Sequence, residues 1–327
     1  MSAARGSREC IKTVAFLLAF FAVIGYGFFL TFKESSFSSQ DYVIVAPTDD
    51  VNRISNTLVE RHICDNASFA KFVLKILTFG GIIVKVGEYE LPDNVSVWGA
   101  IHIMATGKSV LHKFCIPEGF PVVRVLRKLR ENKFLQGDIT KIPEEGSLMP
   151  DTYCFTYPMT RQKIVDMAQA SMRRFLEEEW KNRSPLCTLK SPQEVLTLAS
   201  IVEKETTIMH DVIAGMYFNR LKINMKLQAC PTAIYALVHG EKFARRLTYD
   251  ELKTDDPYNT YVHEGLPPTP IANPGRKSIL GVLHPKESPW LFMYYDKSMS
   301  KPVFAKDYAE HRKNIARIRQ IPLSKIR

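Results

Sequence analysis

The sequence predicts an α+β protein with three successive parts: an N-terminal transmembrane helix, a small α+β module, and a mixed, helix-rich α+β domain. Three observations support this class. Residues 14–32 contain no charged side chain, residues 41–112 mix short strand-like segments with a helical pattern, and residues 113–327 are dominated by helical patterns. A chain of 327 residues is long enough to bury two separate cores.

The N-terminal apolar run has the length of one membrane crossing. At ~1.5 Å per helical residue, residues 14–32 extend roughly 29 Å, close to the thickness of the hydrocarbon layer. Basic residues precede the run, so the positive-inside rule places residues 1–13 in the cytoplasm as a tail and everything after a linker at 33–40 outside. A cleaved signal peptide is the alternative, but the run exceeds the usual ~7–15 residues and no small-x-small cleavage site follows it.

Composition and short motifs exclude several classes of protein. The net charge is +10, but the basic residues are spread out and no aromatic-interleaved basic motif occurs, so we predict no nucleic-acid partner. The charge is either a solvated excess or a surface suited to an anionic polymer or a membrane. Five of the six cysteines would lie outside, an odd number without CxxC spacing, so at least one thiol is free or pairs with another chain. HExxH and nucleotide-binding motifs are absent, and we predict no metal and no cofactor.

The module at 41–112 and the domain at 113–327 differ in their patterns. The module has strand-like segments, YVIVAP at 42–47 and GGIIVKVGEYEL at 80–91, around a helical pattern that starts at Val51. In the domain, a helix is predicted over 161–181, with an apolar face formed by Ile164, Met167, Ala168, Met172 and Phe175.

An irregular, proline-rich segment is predicted at 254–275. Structureless segments of this length inside a domain are usually functional or mobile, and the tyrosine and amide side chains here favour a loop that faces a ligand. A surface connector is the alternative.

A helix with two glutamates at its end is predicted to begin after Ser191. Ser191 is suited to the N-cap, Pro192 to the first helical position, and Glu194 to a capping box. Successive residues turn by about 100°, which places Thr197, Ser200 and Lys204 on a polar side opposite a broad apolar arc. A second helix carrying Asn219 and Arg220 follows, and then a turn with the pattern LQ-x-x-PT-x-x-Y.

The helical positions distinguish the two glutamates. Glu205 falls inside the apolar arc, whereas Glu203 lies at its flank. Burial penalises a charged carboxylate and raises its pKa, and acid catalysis at neutral pH requires such a group. Glu205 is therefore the candidate catalytic acid, with a solvated or salt-bridged glutamate as the alternative.

The chain resembles the MltG (YceG-like) family of membrane-anchored endolytic murein transglycosylases over nearly its whole length, from the anchor to Asn314. Several of the matching segments are long and ordered, so the joint match is specific, although EH or NRL alone would carry no information. The segments are GEYELPDNVSV (87–97), IPEGF (116–120), EGSLMPDTY (145–153), LASIVEKET (198–206), FNRL (218–221), MKLQACPTAIY (225–235), PYNTY (257–261), GLPPTPIANPG (265–275) and EH (310–311).

The resemblance implies a LysM-like module at 41–112, next to the membrane, and a YceG-like catalytic domain at 113–327. It also implies that Glu205 is catalytic and cleaves the β-1,4 bond between N-acetylmuramic acid and N-acetylglucosamine. Glu205 would protonate the glycosidic oxygen and then accept the proton of the muramoyl C6 hydroxyl, which attacks C1 to form a 1,6-anhydro sugar. A second catalytic carboxylate, as used by ordinary glycosidases, is then not needed.

The other polar residues of these segments are candidates for binding the substrate. Amides suit sugar hydroxyl and N-acetyl groups, tyrosine rings suit stacking on a pyranose, and a guanidinium suits a lactyl or peptide carboxylate. Each of them could equally fix a loop. The candidates are Asn219, Arg220, Gln228, Tyr258, Asn259, Tyr261 and Asn273.

Three positions depart from the family pattern. Cys230 stands where the family usually carries Asp, Asp256 replaces the usual Ser or Thr, and Lys301-Pro302 stand where a histidine is expected. If the usual aspartate orients a turn or a substrate hydroxyl, Cys230 weakens activity and Cys230→Asp should raise it. A thiol nucleophile is the alternative, but no basic partner lies at a recognisable spacing.

The resemblance also implies partners and a location. The substrate would be peptidoglycan glycan strands, with penicillin-binding proteins and other wall-synthesis proteins as possible partners. The protein would be a single-pass protein of the bacterial inner membrane with a cytoplasmic N-terminus and an extracytoplasmic, periplasmic catalytic domain. Two alternatives remain: a murein hydrolase that uses Glu205 with Glu203 or Asp256, and a non-catalytic wall-binding or division scaffold in which Glu205 is inert.

Overall fold

The α+β class is confirmed in a computed structural model that describes residues 2–38 and 42–320, with side chains from residue 16 onward. Parts of the predicted tail, linker and module, at residues 1 and 39–41, and the C-terminal residues 321–327 lie outside the described residues. In the described part, the chain forms eleven α-helices and eight short β-strands.

The helices carry most of the ordered structure. Their bounds are α1 Ser2–Phe32, α2 Val51–Glu60, α3 Ala67–Phe79, α4 Val97–Thr106, α5 Val122–Glu131, α6 Arg161–Lys181, α7 Pro192–Glu205, α8 His210–Lys222, α9 Cys230–Val238, α10 Arg276–Leu283 and α11 Tyr308–Arg319. The strands are β1 Tyr42–Val45, β2 Gly87–Glu90, β3 His112–Cys115, β4 Leu135–Gln136, β5 Thr152–Phe155, β6 Met159–Thr160, β7 Phe292–Asp296 and β8 Lys301–Ala305.

Contacts within the chain divide it into two compact units. The first unit is Met1–His112 with Cys154–Met159, and the second is Lys113–Tyr153 with Thr160–Arg327. The assignment of a LysM-like module and a catalytic domain to these regions stays a prediction.

The first unit has its own core between a small sheet and its helices. Strands β1 and β2 pair antiparallel from Tyr42 opposite Glu90 to Val45 opposite Gly87. Alternate side chains of β1 point inward. Side-chain caps start three of its helices: Asp50 before α2, Asn66 before α3 and Ser96 before α4. The enclosed core includes Leu58, Tyr89, Ile101 and Met104.

The predicted membrane anchor, residues 14–32, is helical throughout and forms the last part of α1. Its described side chains are mostly large, apolar and exposed, as at Phe16, Phe21 and Val23. Within the described residues, no helix combines the length and the apolarity that crossing a membrane requires.

The helix predicted over 161–181 is confirmed in the second unit as α6, which Thr160 caps by accepting from the Lys163 N–H. Ile164, Ala168 and Met172 are buried as expected. The remaining two members of the predicted face, Met167 and Phe175, are half-buried, whereas Val165 and Leu176 are buried in their place.

The start of α7 is also confirmed, because the Ser191 hydroxyl accepts from the Glu194 N–H and Pro192 is the first helical residue. The predicted polar side is wrong for two of its three residues: Thr197 and Ser200 are buried, and only Lys204 is exposed. The reason is that α7 packs against α6, α8, α9 and α10, so that almost its whole circumference lies inside the core.

The chain after α8 is more helical than predicted. The expected turn with the pattern LQ-x-x-PT-x-x-Y is wrong in its second half, because α9 begins at Cys230 with Pro231 in its first turn. The segment 254–275 contains no helix or strand, as predicted. Asn259, Thr260 and Asn273 within it are buried, so this loop is packed into the domain.

Short strand pairs complete the structure. Strand β3 pairs with β5, β4 with β6, and β7 with β8. The last pair is an antiparallel ladder from Phe292 opposite Ala305 to Asp296 opposite Lys301, and α11 packs against it.

Candidate active site

Glu205 is the last residue of α7, and its carboxyl group is shielded from solvent. Thr206, which follows it, has an extended backbone and ends the helix. The residue as a whole is half-buried, yet burial of the carboxyl group is the largest influence on its pKa. Burial raises the pKa of Glu205 to about 7, while a hydrogen bond with Tyr217 and the charge of Arg220 act in the opposite direction. A large fraction of Glu205 is therefore protonated at neutral pH.

Four other side chains interact with Glu205 or with each other around it. Tyr217 and Arg220 come from α8, three residues apart and therefore on one face of that helix. Cys230 lies at the start of α9, and Tyr261 lies in the 254–275 loop. The Cys230 Sγ and the Tyr261 hydroxyl are 3.1 Å apart, and both side chains interact electrostatically with Glu205. Burial raises the pKa of the Cys230 thiol and of the Tyr261 hydroxyl, so both are neutral.

Arg220 is a fixed positive charge inside the domain. Its guanidinium donates to the carbonyl of Leu291 at 2.6 Å and to the carbonyls of Leu227 at 2.7 Å and Lys226 at 3.2 Å. The residue is 6% exposed. The guanidinium therefore joins α8 to two other segments and lowers the pKa of Glu205, although less than burial raises it.

Glu203 differs from Glu205 in its surroundings. One of its carboxylate oxygens accepts from the Gly275 N–H at 2.9 Å and from the Ser278 hydroxyl at 2.7 Å. These groups lie at the start of α10. Glu203 thus caps α10 from α7, and its carboxylate already has two donors.

Three of the predicted amides hold the backbone of nearby segments. The Asn219 side chain donates to the carbonyls of Ser288 and Trp290. The Asn259 side chain donates to two carbonyls at 252 and 254 and accepts from the N–H of Tyr261. Asn273 accepts from the Leu148 N–H and donates to the Phe120 carbonyl.

The remaining predicted residues, Tyr258 and Gln228, lie on or near the same loop. The Tyr258 hydroxyl is 2.7 Å from the Thr269 hydroxyl, and its ring centroid is 4.8 Å from that of Tyr235. Gln228 has an exposed side chain and a left-handed backbone (φ 48°), and its N–H donates to the Thr260 carbonyl. Of the predicted residues, the contacts group Arg220 and Tyr261 with Glu205.

Two titratable residues were missed from the sequence. Tyr217 is 1% exposed and bonds to Glu205; its spacing from Arg220 is the signal that could have identified it. Glu145 has its pKa raised to about 7 by burial. It accepts from the Val122 N–H at 2.9 Å and lies 3.5 Å from the Tyr235 hydroxyl. Glu145 stands in one of the family-like segments, so its position was visible but its burial was not.

Departures from the family pattern have a local explanation at one position. The Asp256 side chain accepts from the Tyr258 N–H at 2.9 Å, which is the contact that a serine or threonine can make at a turn. The substitution at Lys301-Pro302 has no explanation in the contacts of these residues.

A groove of about 920 Å³ lies elsewhere on the domain. It is lined by Asn219 and other residues of α8 but by neither Glu205 nor Tyr261.

A mixed α+β fold with a shielded carboxyl group of pKa about 7 at a helix end, beside an arginine and two tyrosines, defines the class: a protein with Glu205 as its candidate acid. The particular family follows from comparison. The chain belongs to the YceG-like family, whose profile matches residues 43–317.

Similar proteins were found among both characterised sequences and solved structures. An endolytic murein transglycosylase of Bacillus subtilis (strain 168) is 38% identical over 175 residues, which cover 53% of this chain and 47% of that protein. A protein of the same name from Streptococcus pneumoniae (serotype 2, strain D39) is 26% identical and covers 85% of this chain and 59% of its own length. The chain thus spans about half to three fifths of the length of these relatives.

A crystal structure of a YceG-like protein from Listeria monocytogenes is similar in fold. It superposes with a TM-score of 0.51 and 27% identity, covering 86% of this chain and 99% of that one. The family and the α+β architecture are therefore supported by two independent comparisons.

Proposed function

We propose that the chain is an endolytic lytic transglycosylase of peptidoglycan that cleaves the β-1,4 bond between N-acetylmuramic acid and N-acetylglucosamine and so terminates glycan strands. The observation that carries this proposal is the carboxyl group of Glu205, whose pKa of about 7 suits a group that first donates and then accepts a proton. The names of the relatives support the same reaction.

In the proposed mechanism, protonated Glu205 donates its proton to the glycosidic oxygen as the bond to C1 breaks. The resulting carboxylate then accepts the proton of the muramoyl C6 hydroxyl, whose oxygen forms the new bond to C1. Arg220 stabilises the carboxylate between the two steps, since its charge favours the ionised form of Glu205. Glu203 has no part in the chemistry, because its carboxylate is bonded to the start of α10.

We assign the predicted binding residues to two roles. Gln228 and Tyr261 contact the sugar, because the Gln228 side chain is exposed and Tyr261 lies beside Glu205. The others position the loops that form the site, because their polar groups are already bonded inside the domain; they are Asn219, Arg220, Tyr258, Asn259 and Asn273.

Mass spectrometry of the glycan fragments released by the purified protein tests the reaction. A lytic transglycosylase leaves a 1,6-anhydro end, which weighs one water less than a reducing end. Reducing ends would instead support a murein hydrolase. No release from several glycan types would support a non-catalytic wall-binding scaffold.

Residues 14–32 are proposed to anchor the protein in the inner membrane, with a LysM-like module at 41–112 outside and penicillin-binding proteins as partners. The exposed apolar side chains of α1, such as Phe16, Phe21 and Phe28, support an apolar environment for this helix. Extraction of bacterial membranes with alkaline carbonate tests the anchor, because an integral protein stays in the pellet and a peripheral one is released.

The activity should fall as the pH rises above neutrality. The reaction begins with the protonated form of Glu205, whose pKa is raised to about 7, so kcat/KM should be constant at lower pH and decrease about tenfold per pH unit above pH 7. A pH–rate profile checks this. A descending limb that begins well above pH 7 would contradict the assignment of Glu205 as the acid.

Replacing Tyr217 by Phe should shift that descending limb to higher pH. The Tyr217 hydroxyl lowers the pKa of Glu205, and one hydrogen bond to a charged group is worth roughly one pKa unit. The pH–rate profile of Tyr217→Phe is compared with that of Tyr153→Phe, because the Tyr153 hydroxyl bonds to the Met149 carbonyl instead. An unshifted limb in Tyr217→Phe would show that the hydroxyl does not act on Glu205.

Replacing Cys230 by Asp should raise the activity. A carboxylate at this position accepts a stronger hydrogen bond from the Tyr261 hydroxyl than the thiol does, which orients the Tyr261 ring beside Glu205. We expect kcat/KM to rise by roughly fivefold, the ratio that follows from a hydrogen bond worth about 1 kcal/mol. Cys230→Ser is the control, because serine adds a hydroxyl but no charge. An equal rise of kcat/KM in both variants would show that the carboxylate is not the cause.

A further inference from the structure

A small cleft between residues of α5, α7 and α9 carries two positive charges. The cleft has a volume of about 210 Å³ and is lined by Lys204, Arg124, Pro231, Tyr235, Glu241 and six apolar residues or glycines. We call it the Lys204–Arg124 cleft. Neither the mechanism nor the predicted binding residues use these two cations.

The two cations are held against one turn. The Lys204 Nζ donates to the Gly119 carbonyl at 3.3 Å, and the Arg124 guanidinium lies 4.1 Å from the centroid of the Phe120 ring. Asn273 fixes this turn, since its side chain donates to the Phe120 carbonyl and its own carbonyl accepts from the Gly119 N–H. Among the hydrogen bonds of the described residues, the Lys204 side chain makes one and the Arg124 side chain none, so donor positions of both remain for a ligand.

These charges are not neutralised inside the cleft. In the described part of the chain, neither Lys204 nor Arg124 lies within 4.0 Å of a carboxylate oxygen. The one acid among the lining residues, Glu241, forms an ion pair with Arg127. Lys204 is exposed as a residue, but burial of its ammonium group and the charge of Arg124 lower its pKa and outweigh the opposite effect of Glu203. Two cations that repel each other across a cleft favour an anionic ligand between them.

The cleft shares two helices with the candidate active site. Lys204 precedes Glu205 in α7, and Pro231 follows Cys230, which interacts electrostatically with Glu205. A ligand in the cleft would therefore contact the two helices, α7 and α9, that carry Glu205 and Cys230. The sugar backbone of peptidoglycan is neutral, and its anionic groups are the carboxylates of the peptide arms on the muramoyl residues.

We propose that the Lys204–Arg124 cleft binds a carboxylate of the peptide arm of the muramoyl residue that is cleaved. This inference rests on the proposed function and adds to it that the enzyme recognises strands with intact, unamidated peptides. Arg124 supplies a planar pair of donors that matches a carboxylate, and Lys204 supplies a second charge.

Equilibrium binding tests the cleft without requiring cleavage. The ligand is a fluorescent disaccharide-tripeptide of peptidoglycan, used either with free carboxylates or after conversion of the carboxylates into amides with carbodiimide and ammonium. The full chain in detergent is titrated by fluorescence anisotropy. We expect amidation to raise the Kd about tenfold, as the loss of one charge-assisted contact does.

Substitutions of Lys204 and Arg124 test whether the carboxylate of the ligand binds in the cleft. Lys204→Gln and Arg124→Gln should each raise the Kd of the free-carboxylate ligand about tenfold and leave the Kd of the amidated ligand unchanged. Lys204→Arg should retain binding. Lys128→Gln is the matched control, because Lys128 donates to the Cys115 carbonyl and lies 5.6 Å from the Phe120 ring but does not line the cleft.

The inference is overturned if amidation does not change the Kd, or if the two variants weaken both ligands equally, which would indicate that the cations only support the turn. Glycan cleavage is measured in parallel on the same preparations. Carboxylate-dependent binding without cleavage would contradict the proposed function and keep the subsite, whereas cleavage that is indifferent to amidation would contradict the subsite and keep the function.

Discussion

The Glu205→Gln variant is expected to lose glycan cleavage almost completely, with kcat/KM reduced by about 10³-fold, within the usual range for removal of a general acid or base. Glutamine occupies the same volume and can still accept a hydrogen bond from Tyr217, so the fold should persist. It can neither give a proton to the glycosidic oxygen nor take one from the C6 hydroxyl. Release of anhydro-ended fragments, followed by mass spectrometry, is the measurement.

The chain provides a matched control two residues earlier. Glu203→Gln keeps an oxygen that can accept from the Gly275 N–H and the Ser278 hydroxyl, so it should retain activity within a few-fold of the unaltered protein. If both variants were inactive, Glu203 would share the chemistry and the two-carboxylate hydrolase would gain support. If Glu205→Gln still cleaved glycan, Glu205 would not be the acid. Full function in cells after Glu205→Gln, with no glycan cleavage by either protein, would favour the scaffold alternative.

Of the substitutions proposed for this chain, Gly215→Ala is expected to cause the largest loss in the free energy of unfolding. A Cβ atom at Gly215, in α8, would lie 2.1 Å from the carbonyl oxygen of Lys286. This distance is far shorter than two non-bonded atoms can adopt. The N–H of Lys286 donates to the Asp211 carbonyl at 3.0 Å, so this segment is bonded to the first turn of α8 and cannot move away freely. We expect a loss of about 3 kcal/mol in the free energy of unfolding, the upper part of the range for overpacking.

Thermal unfolding followed by circular dichroism checks this expectation, and Gly80→Ala is the control. Gly80 follows α3 with φ −77°, and a Cβ there would lie 3.4 Å from its nearest neighbour, an ordinary contact. Since the chain has two compact units, with Gly80 in the first and Gly215 in the second, each variant is compared with the unaltered protein in the transition of its own unit. A Gly215→Ala protein with an unchanged transition would show that α8 and the 285–287 segment are less tightly fixed than their contacts indicate.

The sequence was most informative where local chemistry decides the structure. Serine and proline fixed the start of α7, and the helical periodicity identified α6. The polar side of α7 was not predictable, because a helical wheel assumes one solvated face. Here the Thr197 hydroxyl bonds to the Gln193 carbonyl and the Ser200 hydroxyl to the Thr197 carbonyl. Such local bonds let polar side chains enter a core.

The candidate site, too, was predictable only where the local sequence decides the structure. The position of Glu205 in the apolar arc predicted a shielded carboxyl group, and burial does dominate its pKa. The partner Tyr217 lies on another helix, so only the packing of α7 against α8 reveals it. Amides such as Asn259 and Asn273 have the composition of sugar-binding residues, but whether an amide faces a ligand or a carbonyl depends on contacts distant in the chain.

The bonds around Asn273 have a consequence for how the chain tolerates changes in length. Between 271 and 275, the backbone or side chains of the loop bond to Ser200, Phe120, Leu148 and Glu203 in three other segments. An inserted residue would shift every one of these pairings at once. The stretch at 244–250 is mostly exposed and has no comparable set of partners among the described hydrogen bonds, and a loop grows there at little entropic cost. We therefore expect the chain to tolerate tags, probes or natural insertions at 244–250 and to be disrupted by them at 271–275.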